Sequence, residues 1–136
     1  MSVGQMVNFY PEMITWSLRE KARYIRGFAD GEGGPRFYRW KGAQKGHHYS
    51  GDMNVRAVAI TNSDKRLLNT VQIMLGDLGI KSHIYIDIRK GERKATKNAW
   101  SLKILDKKSL IKFSKAIGFS ETRKSNILKE IVASYK

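Results

Sequence analysis

The sequence predicts an α+β domain in the order αββαββαα, an antiparallel sheet with its helices packed behind it. Two pairs of segments, 36–41 with 53–61 and 81–89 with 97–105, alternate apolar and polar residues at period two, as half-buried strands do. Stretches with helical spacing of apolar residues precede each pair, and two more close the chain. At 136 residues the chain has the length of one domain, read as an N-terminal arm over 1–16 and the domain proper over 17–136.

The arm holds Phe9, Tyr10, Ile14 and Trp16 around Pro11, too apolar for a disordered tail, so it is expected to dock, with a short helix after Pro11. The first long helix starts at Ser17, because Ser17-Leu18-Arg19-Glu20 is a capping box. Leu18, Ala22, Tyr24, Ile25, Phe28 and Ala29 form its apolar face, and Gly33, Gly34 and Pro35 end it. The first strand places Arg36, Tyr38 and Trp40 on one face and Phe37, Arg39 and Lys41 on the other. A polar loop, 42–51, carries Lys45, His47 and His48. With no third ligand beside it, the histidine pair reads as a solvated or phosphate-contacting loop before it reads as a metal site.

The second strand points Val58 and Ile60 one way and Ala57, Ala59 and Thr61 the other. Ser63 and Asp64 cap a helix with the stripe Leu67, Leu68, Val71, Met74, Leu75 and Leu78, ended by Gly79. In the second pair, Ile84, Ile86 and Ile88 are expected inward with His83, Tyr85, Asp87 and Arg89 outward; then Trp100, Leu102 and Ile104 inward with Ala99, Ser101 and Lys103 outward. Two helices follow, about 107–117 and 121–135, the second capped by Ser120.

Twenty-six Lys and Arg against 12 acids give a net charge of +14, which calls for a polyanionic partner. Nucleic acid leads, ahead of an anionic membrane surface. No apolar run nears the roughly 18 residues that span a bilayer, and the amino terminus lacks a signal-peptide layout. Without cysteine there is no disulfide framework and no thiolate metal site. An intracellular protein is expected, not secreted, in the cytoplasm of a prokaryote or in an organelle, with neither membrane nor small molecule as partner.

Helices on one face of two hairpins leave the other face free. A curved sheet of this kind fits the roughly 12 Å wide major groove. Arg36, Tyr38, Trp40, Lys45, His83, Tyr85, Asp87, Arg89 and Lys103 are the candidate DNA contacts, since a merely solvated face would expose the aromatics Tyr38, Trp40 and Tyr85 without gain.

The densest chemistry lies in Tyr24 to Gly34, YIRGFADGEGG. Gly27 and Gly31, four apart, lie on one side of the helix and allow another backbone to approach closely. A glycine inside a helix costs roughly 0.5–1 kcal/mol against alanine, so a close contact is expected there. Asp30 and Glu32 sit at the helix end, where a carboxylate beside a free carbonyl suits a divalent cation. A calcium loop of the EF-hand type does not fit, because its twelfth position is Lys41, and no Gly-Lys-Ser/Thr follows to make a phosphate loop.

The run IRGFADGEG resembles the nine-residue motif of the LAGLIDADG homing endonucleases, with Gly27 as the central glycine, Asp30 and Glu32 as the two acids and Gly33 last. The resemblance implies a homing-endonuclease-like fold whose sheet sits as a saddle on DNA. It implies Glu32 as metal ligand with the Gly31 carbonyl beside it, and a structural Asp30. Two further site positions match the family pattern: Asn62 for a polar residue ending the second strand, and Arg123 or Lys124 for a basic residue near the closing helices, with Lys103 a third candidate.

One motif copy gives one Glu32, while a double-strand cut needs two, so a homodimer is expected with Gly27, Phe28 and Gly31 at its seam and a pseudo-palindromic double-stranded DNA target. The implied activity is intron-homing, intron-encoded cleavage of both strands by Mg²⁺-dependent phosphodiester hydrolysis, with Mn²⁺ or Ca²⁺ able to replace Mg²⁺ for binding. Asn62 would position water, and Arg123 or Lys124 would offset charge on the reacting phosphate. Two other classes stay open: an RNA maturase that assists splicing, as some family members do, and a DNA-binding regulator that never cuts.

Overall fold

The computed structural model describes residues 8–40, 53–88, 91 and 97–135, with the side chains of Trp40 and Met53 left out. The expected Lys45, His47 and His48 loop and Arg89 lie outside the described residues. The elements are α1 (Pro11–Ile14), α2 (Leu18–Glu32), β1 (Gly33–Trp40), β2 (Met53–Asn62), α3 (Lys65–Asp77), β3 (His83–Ile88), β4 (Ala99–Ile104), α4 (Lys107–Ala116) and α5 (Thr122–Ser134). This is the predicted αββαββαα plan preceded by the short α1.

All strand pairs are antiparallel, in the order β1-β2-β4-β3. The two hairpins therefore join through their second strands, leaving β1 and β3 as edges. The central strands turn Val58, Ile60, Leu102 and Ile104 to the helix side, where all four are buried among Ile25 and Ala29 of α2, Leu68, Val71, Met74 and Leu75 of α3, Leu110 and Phe113 of α4, and Leu128 and Ile131 of α5. Fully burying one such side chain contributes about 1.5–3 kcal/mol, and this single core holds the helices to one face.

The caps follow local chemistry. Ser17 Oγ accepts from Glu20 N–H at 3.1 Å and Glu20 Oε1 accepts from Ser17 N–H at 3.0 Å, completing the capping box. The cap of α3 is Asp64, which accepts from Leu67 N–H at 3.1 Å; Ser63 takes no part in it. After α3 the chain reverses at Gly79, whose φ of 79° is the left-handed region that glycine reaches without strain. That turn lets Ile80 N–H donate to Leu75 O at 2.8 Å.

Further expectations are corrected. Ser120 does not cap α5: the N-cap is Glu121, without a side-chain bond, and Ser120 N–H donates to Asp30 Oδ1 across the fold. Ile86 is 38% exposed, because β3 is an edge strand that the helices cover only in part. An irregularity between Ile86 and Ile88 sets Ile88 opposite Ala99, so the inward alternation of isoleucines stops there. Leu18, expected on the apolar face of α2, is exposed at the first turn of that helix.

The stretch before α2 is tied down. Tyr10 N–H donates to Thr70 Oγ1 at 2.7 Å, its hydroxyl donates to Asp64 Oδ2 at 2.6 Å, and Arg66 Nε donates to Phe9 O at 3.0 Å. Trp16 meets Tyr24 edge-on with ring centroids 5.5 Å apart. Between α2 and α3, buried Lys21 bonds Asp77 at 2.8 Å, which satisfies an ammonium that would otherwise be buried alone.

Candidate metal centre and nucleic-acid interface

The open face of the sheet is shaped by side-chain size. Its middle carries Ala57, Ala59 and Ser101, each under 5% exposed, while the edge strands raise Arg36 and Tyr38 on one side and His83 and Tyr85 on the other. Small residues in the centre and long ones at the rims make a trough, and a groove there is lined by Arg36, Tyr38, Thr61, Asp87 and Lys103. Across β3 and β4, His83 stands opposite Lys103 and Tyr85 opposite Ser101. Lys103 Nζ lies 5.5 Å from the centroid of the Tyr85 ring, so its charge rests on an aromatic face. Six of the nine candidate contacts thus share this face; the side chain of Trp40, with Lys45 and Arg89, lies outside the described residues.

One end of the trough meets the end of α2. The pairing of Gly33 with Ile60 puts the last turn of α2 beside Thr61 and Asn62, the last residues of β2. Gly31 and Glu32 are exposed there, and among the described residues no hydrogen bond or ion pair engages the Glu32 carboxylate. Asp30, by contrast, is occupied: its Oδ1 accepts from Ser120 N–H at 2.9 Å. The two acids of the motif are two residues apart and differ in surroundings: the Asp30 carboxylate is hydrogen-bonded across the fold and Glu32 is exposed.

Of the basic candidates, Lys124 is at this junction, while Lys103 lies on the sheet face against Tyr85. Lys124 Nζ donates to Asp30 O at 2.7 Å and to Gly33 O at 2.8 Å. Arg123 has a side chain 71% exposed and sits 3.4 Å from Glu121. The groove also contains Arg36, which the sequence offered only as a DNA contact. A Cβ on Gly34 would lie 3.4 Å from Arg36 Nη1 and 3.8 Å from Lys124 Cε, so the guanidinium reaches the same junction. Alternation along β1 gave the face of Arg36 but not this reach.

Asn62 ends β2 as expected, yet its amide is partly engaged: Oδ1 accepts from Asp64 N–H at 2.8 Å. What remains for a ligand is its pair of N–H donors. On the outer side of α2, a Cβ on Gly27 or on Gly31 would meet nothing within 4 Å among the described residues, which do not make the close approach expected at these glycines. Phe28 is half-buried and stacks on Tyr24 with centroids 6.0 Å apart.

The donors at the end of α2 fit a hard cation. A carboxylate and main-chain carbonyls are the oxygen ligands that Mg²⁺ and Ca²⁺ take. Among the described residues no group of three or more His, Cys, Asp or Glu could hold a metal. No helix among the described residues is long and apolar enough to cross a membrane.

Curated proteins gave no significant match. Among solved structures, the homing endonuclease I-CvuI, crystallised in complex with the I-CreI target in the presence of 2 mM Mg with the DNA not cleaved, is similar at a TM-score of 0.49 and 14% identity, over 85% of this chain and 66% of that one. The model of the LAGLIDADG-like domain matches residues 19–118, from the first turn of α2 to the corner after α4, so Arg123 and Lys124 fall beyond the matched span. With most of its length matched, this chain belongs to the family of LAGLIDADG-like domains.

Proposed function

We propose that this chain is a site-specific DNA endonuclease that works as a homodimer and hydrolyses one phosphodiester on each strand of a long pseudo-palindromic duplex. The observation that carries the reading is the position of Glu32: an open carboxylate at the end of the motif helix, where that helix meets a basic, aromatic trough. The net charge of +14 supports a polyanionic partner, and the trough has the form of a surface that rides in a groove of the duplex.

In this reading Glu32 and the Gly31 carbonyl hold Mg²⁺, which Mn²⁺ or Ca²⁺ can replace for binding. The bound ion supplies a polarised phosphate and an ionised water. Asn62, with its carbonyl oxygen engaged, orients water or phosphate by donating N–H. Arg36 offsets the charge that grows on the phosphate oxygens. Tyr38, His83, Tyr85, Asp87 and Lys103 contact the duplex along the trough. The exposed side of α2, with Gly27 and Gly31 bare, meets the same side of a second copy and brings in the second Glu32.

The test is selection of bound duplexes from randomised DNA in Ca²⁺, then transfer to Mg²⁺. The wild-type chain is expected to cut both strands of what it selects, while Glu32→Gln binds the same duplexes and leaves them intact. Selection without cutting by the wild type overturns the nuclease and leaves a DNA-binding regulator. Preference for structured RNA over any duplex points instead to a maturase.

A further inference from the structure

The last turn of α2 is closed in an unusual way. A helix leaves its final carbonyls without intrahelical partners, and a glycine at its end commonly supplies them by turning into the left-handed region. Here the C-cap, Gly33, is extended at φ −142° and ψ −169°, because the chain runs directly into β1. The left-handed closure is therefore not made, and Gly33 N–H reaches only Ala29 O. The missing donors come from α5: Lys124 Nζ bonds Asp30 O at 2.7 Å and Gly33 O at 2.8 Å.

An ammonium has three protons. Two are directed to these carbonyls, and Glu121 Oε2 lies 3.7 Å from the same nitrogen. The Lys124 side chain is 13% exposed. Two of its three donors are taken up by main-chain carbonyls and its side chain is largely covered, a poor disposition for gripping a phosphate. The two carbonyls it joins belong to the residues on either side of Gly31 and Glu32. Two further bonds tie the same turns to the corner between α4 and α5: Arg26 Nε donates to Ile117 O at 2.7 Å, and Ser120 N–H donates to Asp30 Oδ1 at 2.9 Å.

We propose that Lys124 is a positioning residue, whose ammonium clamps the carbonyls of Asp30 and Gly33 and so fixes where Gly31 and Glu32, between them, present oxygen to the metal. The inference rests on the metal role proposed above for Glu32. It assigns Lys124 to the metal ligands rather than to the phosphate, and leaves Arg36 as the cation that meets the reacting phosphate. A group that orients a metal ligand from behind commonly changes metal affinity about 10–100-fold when it is lost.

The experiment is Mn²⁺ binding, read by electron paramagnetic resonance, to the full chain on a duplex selected by affinity from a randomised pool. Lys124→Met is expected to weaken Mn²⁺ binding by about tenfold or more, and Lys124→Arg, which keeps charged donors, to stay near wild type. In cleavage, the Met variant should need more Mg²⁺ for half its maximal rate and recover most of that rate at saturation. Mn²⁺ affinity unchanged in Lys124→Met, with a lowered maximal rate at unchanged Mg²⁺ dependence, overturns the clamp and places Lys124 on the phosphate. If the Met variant does not fold, Lys124→Gln carries the same comparison, since its shorter amide cannot span both carbonyls. A wild-type chain that binds Mn²⁺ through Glu32 yet cuts nothing removes the nuclease reading and leaves the clamp standing.

Discussion

Gly33 lies directly across from Ile60 in the pairing of β1 with β2, and a Cβ on Gly33 would stand 2.5 Å from the Ala59 carbonyl oxygen and 2.9 Å from Ile60 Cγ1. Its φ of −142° is ordinary extended backbone, so glycine is required here for space and not for conformation. The closeness of strand to strand at this residue brings the end of α2 against the end of β2.

Gly33→Ala is therefore expected to destabilise the fold by about 1–3 kcal/mol, as overpacking against backbone does. Chemical denaturation of the two chains checks it. Equal midpoints would mean that β1 and β2 can part at no loss.

Gly27 is the opposite case. A Cβ there meets nothing within 4 Å among the described residues, and alanine in a helix is favoured over glycine by about 0.5–1 kcal/mol. Gly27→Leu should leave the isolated subunit folded and break the association of two copies. Sedimentation on a selected duplex should give two chains per duplex for the wild type and one for Gly27→Leu. Two chains in both cases would move the interface away from α2.

The Tyr10 hydroxyl donates to Asp64 Oδ2 at 2.6 Å, and Arg66 lies over its ring at 4.4 Å. The hydrogen bond to Asp64 holds the phenol above its ordinary pKa, helped by burial and by the Asp64 charge. Between the ordinary and the raised value the folded chain binds more protons than the unfolded one, so stability from this contact is complete below the ordinary value and is lost as pH rises through the raised one. Melting curves from about pH 9 to about pH 12 should fall more steeply for wild type than for Tyr10→Phe. Tyr24 and Tyr135, also raised by burial, titrate in both chains and cancel in the difference. Parallel curves would mean that Tyr10 does not anchor the chain to α3.

Much of this architecture was legible in the sequence because its signals are local. The capping box at Ser17, the period-two runs of β2 and β4 and the apolar stripe of α3 each reflect neighbours within a few residues. What could not be read depends on elements far apart in the chain. Lys124 and Gly33 are separated by 91 positions, and nothing near either tells that an ammonium closes the helix. Ser120 looked like a cap because its type is right for one, yet its N–H is directed to Asp30. Gly27, Gly31 and Gly33 look alike in sequence, and only the fold separates the glycine that touches its own sheet from the two that face outward. The irregularity in β3 breaks an alternation that the three isoleucines otherwise extend.

The central claim is that two copies each contribute one Glu32, and each cuts one strand. Its most direct test is a mixed dimer of one wild-type and one Glu32→Gln subunit, isolated through two different tags and given a supercoiled plasmid bearing a selected site. The account predicts nicked circles from the mixed dimer, linear plasmid from the wild type and untouched plasmid from the doubly substituted dimer. Linear plasmid from the mixed dimer at the wild-type rate would contradict it.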